Sequence, residues 1–476
     1  MNNRHLNNTK ILCTLGPASS SVESIKSLIR NGMSGVRLNF SHGNYESYNE
    51  IYTNIHTACI EENIPLAVLV DLQGPKIRIG ELEQPEIILY SGDEIEITIE
   101  DIKGNNRIIS TSYKNLVDDA LINDMILIDD GLIKLRITGK KSNSVLCKIE
   151  EGGILKPKKG MNLPGMNLST PSITEKDYRD LEFALNKRVD YIALSFVRKA
   201  DDILLLKAWL KEKGFNKSII AKIEKKEAID EFENILSVSD GIMIARGDLG
   251  VELPPQEVPV IQKEIIIRCN EVGKLVITAT QMLESMIHNP IPTRAEASDV
   301  ANAVWDGTDV VMLSGETSVG KYPANTVQIM SDIISNAEKH LPSKLAIQYD
   351  IPQEMDENLF DSVGKAISLM SSQIKAAAIV VFTFKGRTAK ILSKYRPAAK
   401  IIAISNSFDT MNNLCLRRGV ISLFMDEIDK EHIAIDKAKK IILESGHVQK
   451  NDILIFAAAA PYSEKSRANW IKFETL

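Results

Sequence analysis

Two acidic residues, Glu224 and Asp248, follow consecutive apolar runs, Ser218–Lys222 and Gly241–Ala245. Carboxylates so placed suit one hard cation, because Mg²⁺ takes one or two carboxylates and fills its other positions with water and substrate oxygens. The competing reading makes them surface acids paired with Lys225 or Arg246. Lys222 lies two residues before Glu224, and residues i and i+2 of a strand share a face, so an ammonium and the metal would be neighbours. A cation there stabilises a transferring phosphoryl group or a developing enolate. Apolar Ala221 and Ile223 on either side argue against a lysine that merely snorkels to solvent. Arg37 and Asn39 repeat the i, i+2 relation, and an arginine grips carboxylate or phosphate bidentately unless it pairs with Asp71 on the next run. Ser41, His42, Ser195, Arg246, Thr280, Gln281 and Ser314-Gly-Glu316 complete the polar set; His42 taken alone reads as a loop hydrogen-bonding residue.

Gathering these residues requires a fold that brings many strand ends to one rim. Short apolar runs alternate with longer amphipathic stretches, as βα repeats do. Three runs (Lys10–Leu15, Val36–Asn39, Ala67–Asp71) precede a segment of alternating β-type runs with no long helix, from about Gln73 to Asn167. Five follow it: Tyr191–Ser195, Ser218–Lys222, Gly241–Ala245, Leu275–Ala279 and Val310–Leu313. Eight βα units fit a closed (β/α)8 barrel with a β-rich insertion hanging from the third loop, and such barrels build their sites at the strand C-termini. Capping boxes at Thr174-Glu-Lys-Asp177 and Thr293-Arg-Ala-Glu296 start two of the helices. After a linker, Pro342–Met355, four more strands (Ala378–Thr383, Ile401–Ser405, Val420–Phe424, Ile453–Ala457) announce a second α/β domain. The expected boundaries are 1–72 and 169–342 for the barrel, 73–168 for the insertion and 343–476 for the last domain.

Composition narrows the function classes. The 476 residues carry 57 Lys+Arg and 63 Asp+Glu, a net charge of −6, with 25% charged and 44% hydrophobic residues, which excludes a disordered chain. A mildly acidic surface gives no electrostatic drive toward nucleic acid or an anionic membrane. Five scattered cysteines suit a reducing compartment, no run approaches the ~20 apolar residues that span a bilayer, and the N-terminus has no signal-like apolar stretch. A cytoplasmic protein is expected. Gly315–Tyr322 nearly matches a phosphate-binding P-loop, but Tyr322 replaces the metal-binding hydroxyl and Pro323 follows, so that reading is rejected. The strand–loop–helix junction Lys385-Gly386-Arg387-Thr388 offers free amides and positive charge to a phosphate, or is a tight turn bearing surface charges.

The chain resembles the pyruvate kinase family along nearly its whole length. The matching stretches include Val36-Arg-Leu-Asn-Phe-Ser-His-Gly43, Asp71-Leu-Gln-Gly-Pro-Lys-Ile-Arg78, Lys222-Ile-Glu224, Ala245-Arg-Gly-Asp-Leu-Gly-Val-Glu252, Ala279-Thr-Gln-Met-Leu-Glu-Ser-Met286 and Ser393-Lys-Tyr-Arg-Pro397. The resemblance implies a TIM barrel, an inserted small β-barrel lid, a C-terminal α/β regulatory domain and a homotetramer. It implies phosphoryl transfer from phosphoenolpyruvate to ADP, giving ATP and pyruvate, the last step of glycolysis, with Mg²⁺ or Mn²⁺. By position, Arg37 would bind the transferring phosphate, Lys222 would stabilise it, and Glu224 and Asp248 would hold the metal. The backbone of Ala245, Arg246 and Gly247 would bind the substrate carboxylate, and Thr280 would join a water relay to the carbon being protonated. Asn39, Ser41, His42, Asp71, Arg78 and Lys176 would contact nucleotide and phosphates.

Two departures from the family pattern matter. Members that need K⁺ carry a third-strand motif like Asp-Thr-Lys-Gly-Pro-Glu-Ile-Arg; here Leu72 removes a hydroxyl ligand and Lys76 puts an ammonium where they have a carboxylate. Lys76 is therefore expected to substitute for K⁺, the alternative being a surface residue of the lid hinge. Ala460–Trp470 lacks the glycines of fructose-bisphosphate-regulated members, while Lys385–Thr388 is retained. A sugar monophosphate or AMP is thus the expected effector. No counterpart of the extra phosphohistidine-type domain of some bacterial members is seen.

Overall fold

The computed structural model describes residues 7–41, 43–341, 355–426, 431–459 and 468–476. The linker Pro342–Met355 falls almost wholly outside these residues, as do His42 and most of the Ala460–Trp470 loop.

Eight parallel strands close a barrel: Lys10–Thr14, Met33–Asn39, Ala67–Asp71, Tyr191–Leu194, Ser218–Ile223, Gly241–Ala245, Leu275–Ala279 and Val310–Leu313. Each strand pairs with its neighbours in chain order, and the first closes on the eighth with Lys10 opposite Val310. The runs read as continuously apolar because both faces are buried. Leu12, Leu69, Tyr191, Ile220, Met243 and Ile277 fill the barrel, while Ile11, Val68, Ile192 and Ile242 pack outward against the helices. The capping boxes form as expected: the hydroxyls of Thr174 and Thr293 accept the amides of Asp177 and Glu296, whose carboxylates accept the cap amides in return.

The insertion is a curled six-stranded sheet running from Glu94–Thr98 to Met161–Asn162, with a two-stranded annex, Ile87–Leu89 and Gly153–Leu155. Isolated bridges, Arg78 to Gly160 and Ile79 to Thr111, tie the two chain crossings to the sheet. It has its own core around Ile97, Ile109, Ile126, Leu135 and Val145.

The C-terminal domain has the four expected parallel strands in the order Val420–Phe424, Lys400–Ser405, Ala378–Phe382, Ile453–Ala458. A fifth strand, Trp470–Thr475, pairs antiparallel with Ile453–Ala458 at the edge. The helix after Ala378–Phe382 begins at Arg387, with Gly386 as a left-handed N-cap. Arg387 and Thr388 therefore lie in its first turn. The domain docks on the barrel floor through Arg396, whose guanidinium donates to Asn270 Oδ1 and to the Gly307 carbonyl and lies 3.2 Å from Asp309 Oδ1.

Candidate active site

The rim formed by the strand C-termini holds a knot of two cations and two anions. Lys222 Nζ donates to Ser195 Oγ at 2.7 Å and forms ion pairs with Glu224 Oε1 at 2.7 Å and Asp71 Oδ1 at 3.3 Å. Burial alone would lower its pKa, but Asp71 and Glu224 outweigh burial and keep the ammonium charged. On the other side of Asp71, Oδ2 accepts Arg37 Nε at 2.6 Å, and Arg37 Nη1 donates to Thr14 Oγ1 at 3.0 Å. Thr14 in turn donates to the Leu313 carbonyl, so the first and eighth strands fix the arginine. Arg37 Nη2 has no partner among the described residues and is left for an incoming oxygen. Burial would push the Asp71 carboxyl up, yet Lys222 and Arg37 hold it below the ordinary range.

Glu224 is 3% exposed, and its second oxygen accepts the Phe196 amide at 2.8 Å. Phe196 reaches it by adopting φ +56°, a region that aromatic residues rarely enter. Burial pushes the Glu224 carboxyl up, Lys222 pulls it down, and the charge of Asp248 pushes it up again. Asp248 is exposed in the first turn of the helix Arg246–Glu252 and forms no ion pair among the described residues. These two carboxylates therefore repel one another, a condition that a shared cation relieves. The acids do not pair as the competing reading requires: Lys225 binds Glu252 and Arg246 binds Asp299. No group of three or more His, Cys, Asp or Glu side chains able to hold a metal occurs among the described residues. Two hard carboxylates with no nitrogen or sulfur donor fit a Mg²⁺-type ion completed by water and substrate oxygens.

Thr280 closes the rim on the seventh strand at φ +66°, an outlier for a β-branched residue. Its hydroxyl accepts the Gly247 amide at 2.8 Å and donates to the Ala279 carbonyl at 2.7 Å. A Cβ at position 247 would lie 3.3 Å from that oxygen, so glycine leaves room for the Thr280 side chain against this backbone. Among Ala245, Arg246 and Gly247, the Arg246 side chain faces away: it donates to the Thr280 carbonyl and to Asp299, holding the Thr280 turn in place.

The residues expected on the nucleotide side fall into two groups. Asn39 and Ser41 lie together, with the Ser41 amide donating to Asn39 Oδ1. Lys176 joins them by donating to the Phe40 carbonyl at 2.8 Å and to Asp180. Asp71, by contrast, is 1% exposed with both oxygens engaged, so here it orients Arg37 and Lys222. Lys76 and Arg78 sit where the chain enters the insertion, Arg78 donating to the Lys158 carbonyl. Partial burial and Arg78 lower the Lys76 pKa, while Asp248 raises it. A cleft of about 400 Å³ between insertion and barrel is lined by Lys76, Ser112, Lys114, Thr174 and Lys176. Thr14 and the Ser195 contact to Lys222 carry no local sequence signal, because each depends on strands that only barrel closure brings side by side. The near-P-loop is a single helical turn, Gly315–Ser318, whose buried Glu316 accepts the Leu283 and Ser314 amides.

The family model described as pyruvate kinase, barrel domain, matches residues 6–327, and that described as pyruvate kinase, alpha/beta domain, matches residues 361–473. A pyruvate kinase of Staphylococcus epidermidis is 41% identical over 466 residues, covering 98% of this chain and 80% of that one. A pyruvate kinase of Staphylococcus aureus is 42% identical over the same shares. The crystal structure of a pyruvate kinase from Cryptosporidium parvum superposes with a TM-score of 0.89 at 35% identity, covering 98% of this chain and 96% of that one.

Proposed function

Because the chain belongs to the pyruvate kinase family, we propose that its barrel rim transfers the phosphoryl group of phosphoenolpyruvate to ADP, yielding pyruvate and ATP. The observation that carries this reading is the Lys222 ammonium, ion-paired to Glu224 and hydrogen-bonded to Ser195 at 2.7 Å each, beside an arginine whose Nη2 has no partner among the described residues. Two anionic substrates must approach in line, and the positive groups offset their repulsion before any bond changes. Arg37 Nη2 takes a phosphoryl oxygen. Lys222 exchanges its longest contact, to Asp71, for the oxygen that gains charge as the phosphoryl group moves. Mg²⁺ or Mn²⁺ held by Glu224 and Asp248 would supply neutralisation of the phosphate and enolate oxygens when bound. The backbone at Ala245–Gly247 holds the substrate carboxylate. Thr280 Oγ1 orders the water that delivers a proton to the enolate carbon, and the insertion acts as a lid that excludes bulk water. Asn39, Ser41, Arg78 and Lys176 serve the nucleotide, as does His42, which lies outside the described residues.

A coupled assay with lactate dehydrogenase tests the reaction: pyruvate should form from phosphoenolpyruvate and ADP only with a divalent ion. Pyruvate without ADP, or none at all, would favour a different enolate-handling barrel or a silent sensor. An aldolase or phosphoenolpyruvate mutase has no use for the nucleotide-side lysines or the lid.

The ammonium of Lys76 stands in for K⁺ in this reading. Its support is that Lys76 lies close enough to Asp248 and Lys222 for their charges to shift its pKa. Activity should be similar in K⁺ and in tetramethylammonium salts, and strong activation by K⁺ would refute the substitution. The pair Lys76→Glu with Leu72→Thr should create K⁺ dependence, although the Leu72 side chain is packed in the core and its replacement will also lower stability.

A sugar monophosphate or AMP binds at Lys385, Gly386, Arg387 and Thr388, where the amides of the first helical turn and the Arg387 charge favour phosphate. Arg387→Ala should abolish any such activation, read as a lost shift in the phosphoenolpyruvate saturation curve. The same reading carries a homotetramer in the cytoplasm; no described helix is long and apolar enough to cross a membrane.

A further inference from the structure

The two carboxylates of the metal site stand on different pieces of chain, and the barrel ladder does not fix their spacing. Pairing between the fifth and sixth strands ends with Ile223 opposite Ile244, before Glu224 or Asp248 is reached. Glu224 is held from its own side, by Lys222 and by the Phe196 amide. Asp248 makes no comparable contact among the described residues. It belongs to the helix Arg246–Glu252, which is seven residues long, contains Gly247 and Gly250, and lacks a side-chain cap. So short a helix with two glycines does not support itself in water, and its position depends on what anchors it.

Leu249 is buried beneath the helix, and its first turn is held through the Gly247 amide, which reaches Thr280 Oγ1 at 2.8 Å, and through Arg246, which pairs with Asp299. The last residue, Glu252, is held by an ion pair with Lys225, the two side chains being 1% and 6% exposed. Glu252 lies four residues beyond Asp248, about one turn, so the two are neighbours along the helix. Lys225 follows Glu224 directly, and its carbonyl accepts the Ala228 amide at 3.2 Å as the helix Lys226–Asp230 begins. A buried pair of this kind is a poor general stabiliser, because taking both charges out of water offsets most of their attraction. What it does supply is a fixed separation between the two chain segments that carry it.

We propose that Lys225 and Glu252 are positioning residues for the metal site. Their ion pair ties the chain just beyond Glu224 to the end of the helix that carries Asp248, and so sets the span between the two carboxylates before a cation arrives. The inference rests on the reading of Glu224 and Asp248 as the divalent-ion site. With the span preset, the ion does not have to gather its protein ligands, which is how groups behind the ligands contribute to affinity. Neither Lys225 nor Glu252 needs to touch the ion or the substrates.

Mn²⁺ binding to the intact chain without substrates, followed by electron paramagnetic resonance, tests this. Lys225→Met and Glu252→Gln should each raise the Mn²⁺ dissociation constant about tenfold. The shared direction is diagnostic. Acting through charge alone, loss of the ammonium would leave affinity unchanged or improve it, and only loss of the carboxylate would weaken it. Turnover should return to within about threefold of the parent at saturating Mn²⁺, whereas a general loss of structure would lower it at every metal concentration. Lys225→Met should stay folded: burial already pushes the Glu252 carboxyl up, with Lys225 the main group drawing it down, so Glu252 can take up a proton once the ammonium is gone. Lys225→Met combined with Glu252→Leu replaces the pair by apolar groups of similar size, a change that buried pairs commonly tolerate. That double variant should melt near the parent temperature and still bind Mn²⁺ about tenfold more weakly. The proposal is overturned if Lys225→Met or the double variant binds Mn²⁺ as tightly as the parent. A parent that binds no Mn²⁺, or whose affinity Glu224→Gln leaves unchanged, overturns the metal site and this inference together.

Discussion

Replacing Lys222 with methionine is expected to lower kcat at least about 10³-fold while KM for phosphoenolpyruvate stays within about threefold. Methionine keeps the length and apolar stem but removes the charge, with its hydrogen bond to Ser195 and its ion pairs to Glu224 and Asp71, and no neighbour can replace them. Arg37 is engaged by Asp71 and Thr14, and it approaches from the second strand while Lys222 stands on the fifth. Breaking a buried pair by removing one partner commonly costs about 3–5 kcal/mol. The cost should be smaller here. Asp71 retains Arg37, and Glu224, whose carboxyl burial and Asp248 already push upward, can take up a proton. Steady-state kinetics together with a melting curve check both parts: a folded enzyme with near-normal turnover would make Lys222 a structural residue only.

The second large effect is expected at Glu224. Glu224→Gln should raise the dissociation constant for Mn²⁺, followed by electron paramagnetic resonance, about 100-fold, with a fall in turnover of similar size. The amide oxygen can still accept the Phe196 amide, so the local backbone keeps its anchor. The amide nitrogen, however, would face Lys222 donor to donor, and one of the two charges that attract the cation is gone. Asp248→Asn should move metal affinity in the same direction without loss of stability, since that side chain is exposed and makes no ion pair among the described residues. Unchanged Mn²⁺ affinity in both variants would remove the metal from this pair.

The barrel was legible because its strands are buried on both faces and so stand out as unbroken apolar runs: Val310–Leu313 and Leu275–Ala279 are bounded as periodicity bounds them. Capping boxes announced helix starts because their partners lie three residues apart in the chain. The pairing of Lys222 with Glu224 was also readable, since both sit on one strand end. What escaped was set by distant chain. That Thr14 braces Arg37 depends on the first strand lying beside the second, and that Ser195 takes a hydrogen from Lys222 depends on the fourth lying beside the fifth. The edge strand Trp470–Thr475 was missed for another reason: with one face toward solvent, its Trp-Ile-Lys-Phe-Glu-Thr pattern reads as neither a buried run nor a helix. The Arg246 guanidinium, which from position alone could point into the mouth, is drawn aside by the carbonyls of the strained turn at Thr280.

Closure of the first strand onto the eighth also bears on how the protein is made. Lys10 cannot find Val310 until some three hundred further residues have left the ribosome, so the earliest strands wait through most of synthesis with one hydrogen-bonding edge bare. The insertion faces no such delay: its strands all lie within one stretch of chain and draw on their own core, so it can be complete before the fourth barrel strand emerges. A nascent chain would then carry a finished cap above a half-built cylinder, and the interval before Val310 appears is when holdase chaperones would have most to cover.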